Sequence, residues 1–443
     1  MKNTFALFSA LLITAVAGAQ TNPVITGWMQ NTTNIKGRHY VNGNSTPIND
    51  NVLANIQSVK YSTNSVYIAT NGIPAYITGP FLDGNPSLAT SQATIFKFPL
   101  NPVQNTGTPS PTTMGNIGIF INGVALFDYR DGVSWQSTSS SLKGGPLGGT
   151  GDGIWNRDAV VAERAGFDCA KGHPAMGNYH HHQNPSAFKL DLNVVSTICN
   201  LYDADGLYVI DSSKHAPLIG FAYDGFPIYG AYAYKNVDGT GGIVRMKSSY
   251  TLRNITTRTS GPNVNANYPL GYFREDYQYN ATSANTPDYL DEHNGRFCVT
   301  PEYPNGIYCY FATVDEKWNS AYPYAVGPTF YGVKSAAKVN SITEAVTTYT
   351  PSTTSVFNLN EELNMVVFPN PSSEFIAVQT AGITRSDMEV NLYDMNGKLL
   401  ESKILHQGST IAYFDVRLLY SGNYVVEITD GTKRITKKIV LTK

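Results

Sequence analysis

The sequence predicts an all-β protein with few short helices, ending in a separate small β-sandwich. Three observations carry this. Tyr (29) and Phe (19) are plentiful while only 14% of residues are charged, and aromatic and β-branched side chains are the ones that fill pleated faces. Short apolar–polar segments are punctuated throughout by Asn-Gly, Asp-Gly and Pro. The last stretch of the chain, of about eighty residues, reads as evenly spaced short strands, the spacing of a small sandwich.

The elements follow in order. Lys2, an apolar run over 5–16 and the small triplet Ala17-Gly18-Ala19 make residues 1–19 a signal peptide, with Gln20 as the mature N-terminus. Residues 20–346 form a β-rich region. Its first strands are expected over 57–61, 65–69 and 93–98, and a Pro/Thr/Asn-rich loop over 101–113 leads into 116–127. There Ile117, Ile119 and Ile121 alternate with Gly118 and Phe120, so a hairpin is expected around Asn122-Gly123. A Gly-rich loop covers 137–153, and 158–165 is one of the few short helices. Further apolar segments lie at 207–210, 218–223 and 228–234. Residues 347–360 are a Thr/Ser-rich linker. Beyond it, strands are expected at 365–368, 375–379, 388–393, 398–404, 411–416, 422–428 and 434–441. Their polar and apolar positions alternate and form no concave constellation, so the chemistry belongs to the larger region.

Charge and hydropathy exclude several partners. A net charge of −2 with no basic patch offers nothing to nucleic acid or anionic lipid. After the leader no stretch reaches the eighteen apolar residues of a transmembrane span. The four cysteines, Cys169, Cys199, Cys298 and Cys309, are an even number in a chain bound for an oxidising compartment. Disulfides Cys298–Cys309 and Cys169–Cys199 are the pairings put forward, the first across a hairpin whose Pro301 and Pro304 argue for a wide loop.

Five of the eight histidines fall between 173 and 215. On a strand His180 and His182 share one face and His181 takes the other. His173, a short turn away across Pro174 and Gly177, folds back as a third donor. Neutral imidazole suits zinc and, more strongly, copper. His293 and Cys309 complete the candidate metal set, Cys309 as a thiolate in competition with its disulfide. Tyr179 and Tyr310 are expected to orient these ligands through hydrogen bonds. Against the metal stands a bland reading, aromatic packing of the histidines on Tyr179 and Phe188. Asp203-Ala204-Asp205-Gly206 offers oxygens to calcium but lacks the later ligands of an EF-hand loop. Tyr223, Phe226 and Tyr229 read as core and turn packing more readily than as a binding platform, and core roles suit Trp155 and Trp318 as well as surface recognition does.

Two resemblances sharpen the picture. Val367-Phe368-Pro369-Asn370-Pro371, Leu392-Tyr393-Asp394-Met395-Asn396-Gly397-Lys398, Ser421-Gly422-Asn423-Tyr424 and Lys437-Lys438-Ile439-Val440 resemble the C-terminal sorting domain of the type IX secretion system, over residues 361–443. This implies a Bacteroidetes-type bacterium, the type IX machinery as partner, and a final place outside the outer membrane. The second lies upstream. Gly172-His173-Pro174, Gly177-Asn178-Tyr179-His180-His181-His182, the segment 218–230, Leu290-Asp291-Glu292, Asn294-Gly295-Arg296 and Val299-Thr300-Pro301-Glu302-Tyr303 resemble the YHYH domain family over 115–332. Tyr179 to His182 matches the family's naming tetrad with His181 in place of the second Tyr, and in Tyr308-Cys309-Tyr310 a Cys stands in the His position. The family gives a domain name and no reaction.

The sequence therefore supports a secreted or surface-attached protein binding a transition metal, copper ahead of zinc. Two alternatives stand beside it: a hydrolase using Glu302 or Glu292, with or without a metal-bound water, and a non-catalytic module binding glycan or protein. Whether the protein is an enzyme is left open, because an enzymatic metal needs an open coordination position that no sequence pattern displays.

Overall fold

The computed structural model describes residues 20–42, 46–82, 87–186, 207–208, 210–282, 286–351, 365–380, 387–406, 411–431 and 434–443. Residues 1–19, Phe188, Cys199 and Asp203-Ala204-Asp205-Gly206 lie outside the described residues. As expected the protein is all-β. The α-helices among the described residues are single turns, Pro23–Thr26 and Ala159–Ala162.

An eight-stranded mixed sheet is the centre of the larger region. Its strands are β1 (Asn116–Phe120), β2 (Ala125–Phe127), β3 (His173–Ala175), β4 (Asn178–His181), β5 (Leu218–Ala222), β6 (Pro227–Tyr229), β7 (Gly295–Cys298) and β8 (Ile307–Phe311). They run in the order β3-β4-β2-β1-β5-β6-β8-β7. All five residues of β5 are buried, as befits a central strand covered on both faces. One cover is a five-stranded antiparallel sheet built on Ile56–Tyr61, Ser65–Thr70 and Thr94–Pro99. Val66, Ile68, Phe96 and Phe98 from it share a core with Ile119, Phe120 and Phe221. Trp28 plugs this interface, its ring 5.7 Å from Phe98 and 5.1 Å from Phe221. Each such fully buried side chain contributes about 1.5–3 kcal/mol.

The hairpin expected at Asn122-Gly123 joins β1 to β2. Gly123 has φ +85°, and a Cβ there would lie 2.1 Å from Thr70 Oγ1, so glycine is required on both counts. The hairpin of β3 and β4 turns through Met176 (φ 48°) and Gly177 (φ 83°), the double positive φ of a type I′ turn. Strand β4 then pairs in parallel with β2. Parallel neighbours need a long crossover, and here it carries a three-stranded sheet, Arg130–Gln136 with Ser141–Gly144 and Asn156–Asp158, and the helical turn Ala159–Ala162. That crossover closes over the β3/β4 edge.

Two local expectations need correction. The β7–β8 hairpin does not set Cys298 opposite Cys309. Its register pairs Cys298 with Ile307 and Arg296 with Cys309, because the intervening loop closes through Tyr303 N–H on Thr300 O and Gly306 N–H on Tyr303 O. The two sulfurs are diagonal neighbours, and both cysteines are free, buried thiols. The segment read as a linker begins as structure, since Thr347–Tyr349 pairs with Ile56–Tyr61 as an edge strand. Of the pairing Cys169–Cys199, only Cys169 is described.

The seven C-terminal strands form a three-stranded sheet (Met365–Phe368, Phe375–Thr380, Ile411–Asp415) against a four-stranded one (Met388–Asp394, Leu399–Leu405, Gly422–Thr429, Arg434–Leu441). Tyr424, Val426 and Ile428 alternate inward along their strand and meet Ile376, Val378 and Phe414 in a core of their own.

Candidate metal centre

His173 and His180 sit directly opposite each other in the β3–β4 register, and paired residues project their side chains to one face. His182 follows two residues after His180 and returns to that face. All three are buried, and one nitrogen from each lies within 4.8 Å of the others. The buried group could hold a metal ion. Its walls are aromatic: Phe127 stacks on His180 at 3.8 Å, and Phe167 meets His173 edge-on at 5.0 Å.

The backbone fixes which nitrogen faces inward. His180 Nδ1 is 2.8 Å from Asn178 O and His182 Nδ1 is 2.6 Å from Asp128 O. A carbonyl oxygen only accepts, so each Nδ1 carries the hydrogen and each neutral ring turns an Nε2 lone pair to the centre. These two Nε2 atoms are 3.1 Å apart. Two acceptors at that distance repel unless a proton or cation lies between them. Neither His173 nitrogen has a hydrogen-bond partner.

A carboxylate that the sequence did not single out faces the group. Glu163 Oε2 lies 3.3 Å from His182 Nε2 and 3.4 Å from His173 Nε2. Its helical turn is pinned at the start, where Asp158 caps Val160 N–H at 2.8 Å and accepts Tyr324 Oη–H at 2.7 Å. Burial raises the Glu163 carboxyl, but the imidazoles of His173 and His182 that face it outweigh this and hold it well below the usual range. His180 is pushed well below an ordinary imidazole by burial and by its two neighbours. His182 is raised, because Glu163 overcomes the effect of burial. The only hint of Glu163 in the sequence is that it falls on the short helix expected over 158–165.

The other candidates lie elsewhere. His181 points to the opposite face, as alternation requires, with Nε2 2.8 Å from Tyr76 Oη. Tyr179 is on that face too, donating to Asp168 Oδ2 at 2.8 Å. Asp168 in turn accepts Gly172 N–H at 3.1 Å, so Tyr179 bonds none of the three rings and steadies the chain that leads into His173. Cys309 is on β8, five strands from β4, or roughly 24 Å at the usual strand spacing. Tyr310 donates to Asp224 Oδ2 at 2.5 Å. His293 Nδ1 is 2.8 Å from Thr329 Oγ1, and its Nε2 lies 3.9 Å from Glu292. Glu302 accepts Tyr229 Oη–H at 2.8 Å in the β7–β8 loop. Trp155 is a core residue, donating to Thr259 O at 2.8 Å.

Comparison with known proteins returns two families. Residues 95–323 match the model of the YHYH protein family, and residues 366–442 match the secretion system C-terminal sorting domain. No curated protein matches the chain. Among solved structures, a DUF3244 family protein with an immunoglobulin-like β-sandwich fold from Bacteroides vulgatus is similar, with 16% identity over 18% of this chain and 84% of that one and a TM-score of 0.16. The sorting domain directs export to the cell surface or the medium. Among the described residues no helix is long and apolar enough to cross a membrane.

Proposed function

We propose, from the premise that this chain belongs to the YHYH protein family, that the family domain holds one transition-metal ion on His173, His180 and His182 outside the cell. The observation that carries the reading is the 3.1 Å approach of two Nε2 atoms whose Nδ1 partners are backbone carbonyls. A single proton relieves one such contact. A cation bound by lone pairs relieves all of them, including the unpartnered His173. Nitrogen donors of this kind select ions of the copper and zinc class, with copper(II) first in intrinsic affinity. Glu292 and Glu302 bond His293 and Tyr229 rather than the histidine group, so neither is the base for a water on this ion.

The test is metal analysis of the mature protein purified without a histidine tag. One equivalent of copper or zinc is expected, lost in a His180→Ala plus His182→Ala variant. No uptake of either ion at micromolar concentration overturns the reading.

A further inference from the structure

We infer that Glu163 is a fourth protein ligand and that the site is therefore a closed, tetrahedral one; this rests on the three-histidine reading above. Four donors around one ion at the usual zinc distances stand about 3.3 Å apart along each tetrahedral edge. Three of the six edges of such a tetrahedron stand at this spacing: Glu163 Oε2 to His182 Nε2 and to His173 Nε2 at 3.3 and 3.4 Å, and His180 Nε2 to His182 Nε2 at 3.1 Å; the three histidine donors lie within 4.8 Å of one another. The oxygen itself is buried without a hydrogen-bond partner, while about a quarter of its side chain reaches solvent. A carboxylate with access to water that turns one oxygen inward, away from it, is placed there by what it faces. Its position is also fixed from behind: Glu163 N–H donates to Ala159 O at 2.8 Å, and Ala159 N–H donates to Tyr129 O at 2.7 Å.

Two consequences follow. A dication on three neutral imidazoles alone leaves two uncompensated charges in a buried, aromatic-walled space, and each costs heavily to bury. The carboxylate halves that charge. Four protein donors also leave no position for water or substrate, which is the mark of an ion held rather than used. A closed N3O tetrahedron suits zinc better than copper(II), whose preference is tetragonal. The Glu163 side chain is then the flap past which the ion enters, since it is the most exposed of the four ligand side chains.

Cobalt(II) reports coordination number through its visible spectrum. The full-length wild type, loaded with one equivalent, is expected to show the intense bands of four-coordinate cobalt and to ignore excess azide. Glu163→Gln is expected to bind cobalt at least tenfold more weakly and to respond to azide, because a position has opened. A wild-type spectrum that shifts with azide overturns the closed site, and this readout needs no variant. A Glu163→Gln protein matching the wild type in affinity and spectrum overturns it too. Wild type that takes up neither cobalt, zinc nor copper defeats the three-histidine reading itself and the fourth ligand with it.

Discussion

His180 and His182 owe their role to the atoms that point away from the centre. Each Nδ1 is committed to a backbone carbonyl, so neither ring can flip without leaving a buried carbonyl without its donor, at about 1–3 kcal/mol. The neighbouring His181 is equally buried but bonds Tyr76 on the other face. The triplet therefore makes opposite predictions one residue apart. His181→Leu is expected to keep wild-type metal stoichiometry while losing about 1–3 kcal/mol of stability, measured by metal analysis and a denaturant melt on the same sample. His180→Ala is expected to lose metal. Gly172 makes a related case. A Cβ there would lie 2.4 Å from Tyr179 Oη and 2.8 Å from His181 Cε1. Gly172→Ala is expected to cost about 1–3 kcal/mol by overpacking and, by displacing the residue before His173, to weaken metal binding as well, read as a raised Kd. The His173, His180, His182 set was legible in the sequence because strand alternation and a two-residue turn are local rules. Glu163 was not, because a long crossover brings it over the strands and no spacing encodes that.

Strands and turns show the same division. The turn at Asp224-Gly225 was readable from its residues, and the structure shows why an aspartate occupies it. Asp224 accepts Phe226 N–H at 3.2 Å within the turn, and Tyr310 Oη–H at 2.5 Å and Gly332 N–H at 2.8 Å from two other segments. One carboxylate thus ties the β5–β6 turn to β8 and to the segment around Gly332, just past the matched family residues. Which strand lies beside which was not readable. The parallel pairs β4–β2 and β6–β8 separate His180 from Cys309 by most of the sheet width, although the sequence puts both beside tyrosines in similar motifs. Burial raises the Asp224 carboxyl to about 6 from an ordinary 3.8, against the hydrogen bonds that lower it. A carboxyl raised in the folded state holds its proton more tightly there than in the unfolded chain. Its contribution to stability is then full below about pH 4 and is lost as pH rises to about 6, a change of about 3 kcal/mol at most. Asp224→Asn cannot titrate and forces an amide against at least one of three donors. The variant is expected to be less stable than wild type by about 1–3 kcal/mol in acid, with the gap narrowing as pH rises from 4 to 6 in paired urea melts.

At the scale of the whole molecule, two cores meet at a limited contact. The sorting domain has its own interior of Val378, Leu392, Phe414 and Val426, while Phe375, Ala377, Ile411 and Tyr413 pack instead with the core of the family domain. Trp318 meets Phe375 edge-on at 6.1 Å, so this tryptophan bridges the junction. Among the described residues the sorting domain sends four buried side chains into the family-domain core and keeps sixteen in its own, and a chain of its size with a core of its own can fold by itself. Two unfolding transitions are therefore expected in calorimetry of the full-length protein. An ion that binds only the folded family domain stabilises that domain by RT ln(1 + [L]/Kd), about 2.7 kcal/mol at a hundredfold excess over Kd. Saturating zinc is thus expected to raise one transition by several degrees and leave the other in place, and the His180→Ala plus His182→Ala variant is expected to show no shift in either. A single transition that moves as one would mean that the Trp318–Phe375 junction couples the domains, and that the sorting domain senses the ion through it.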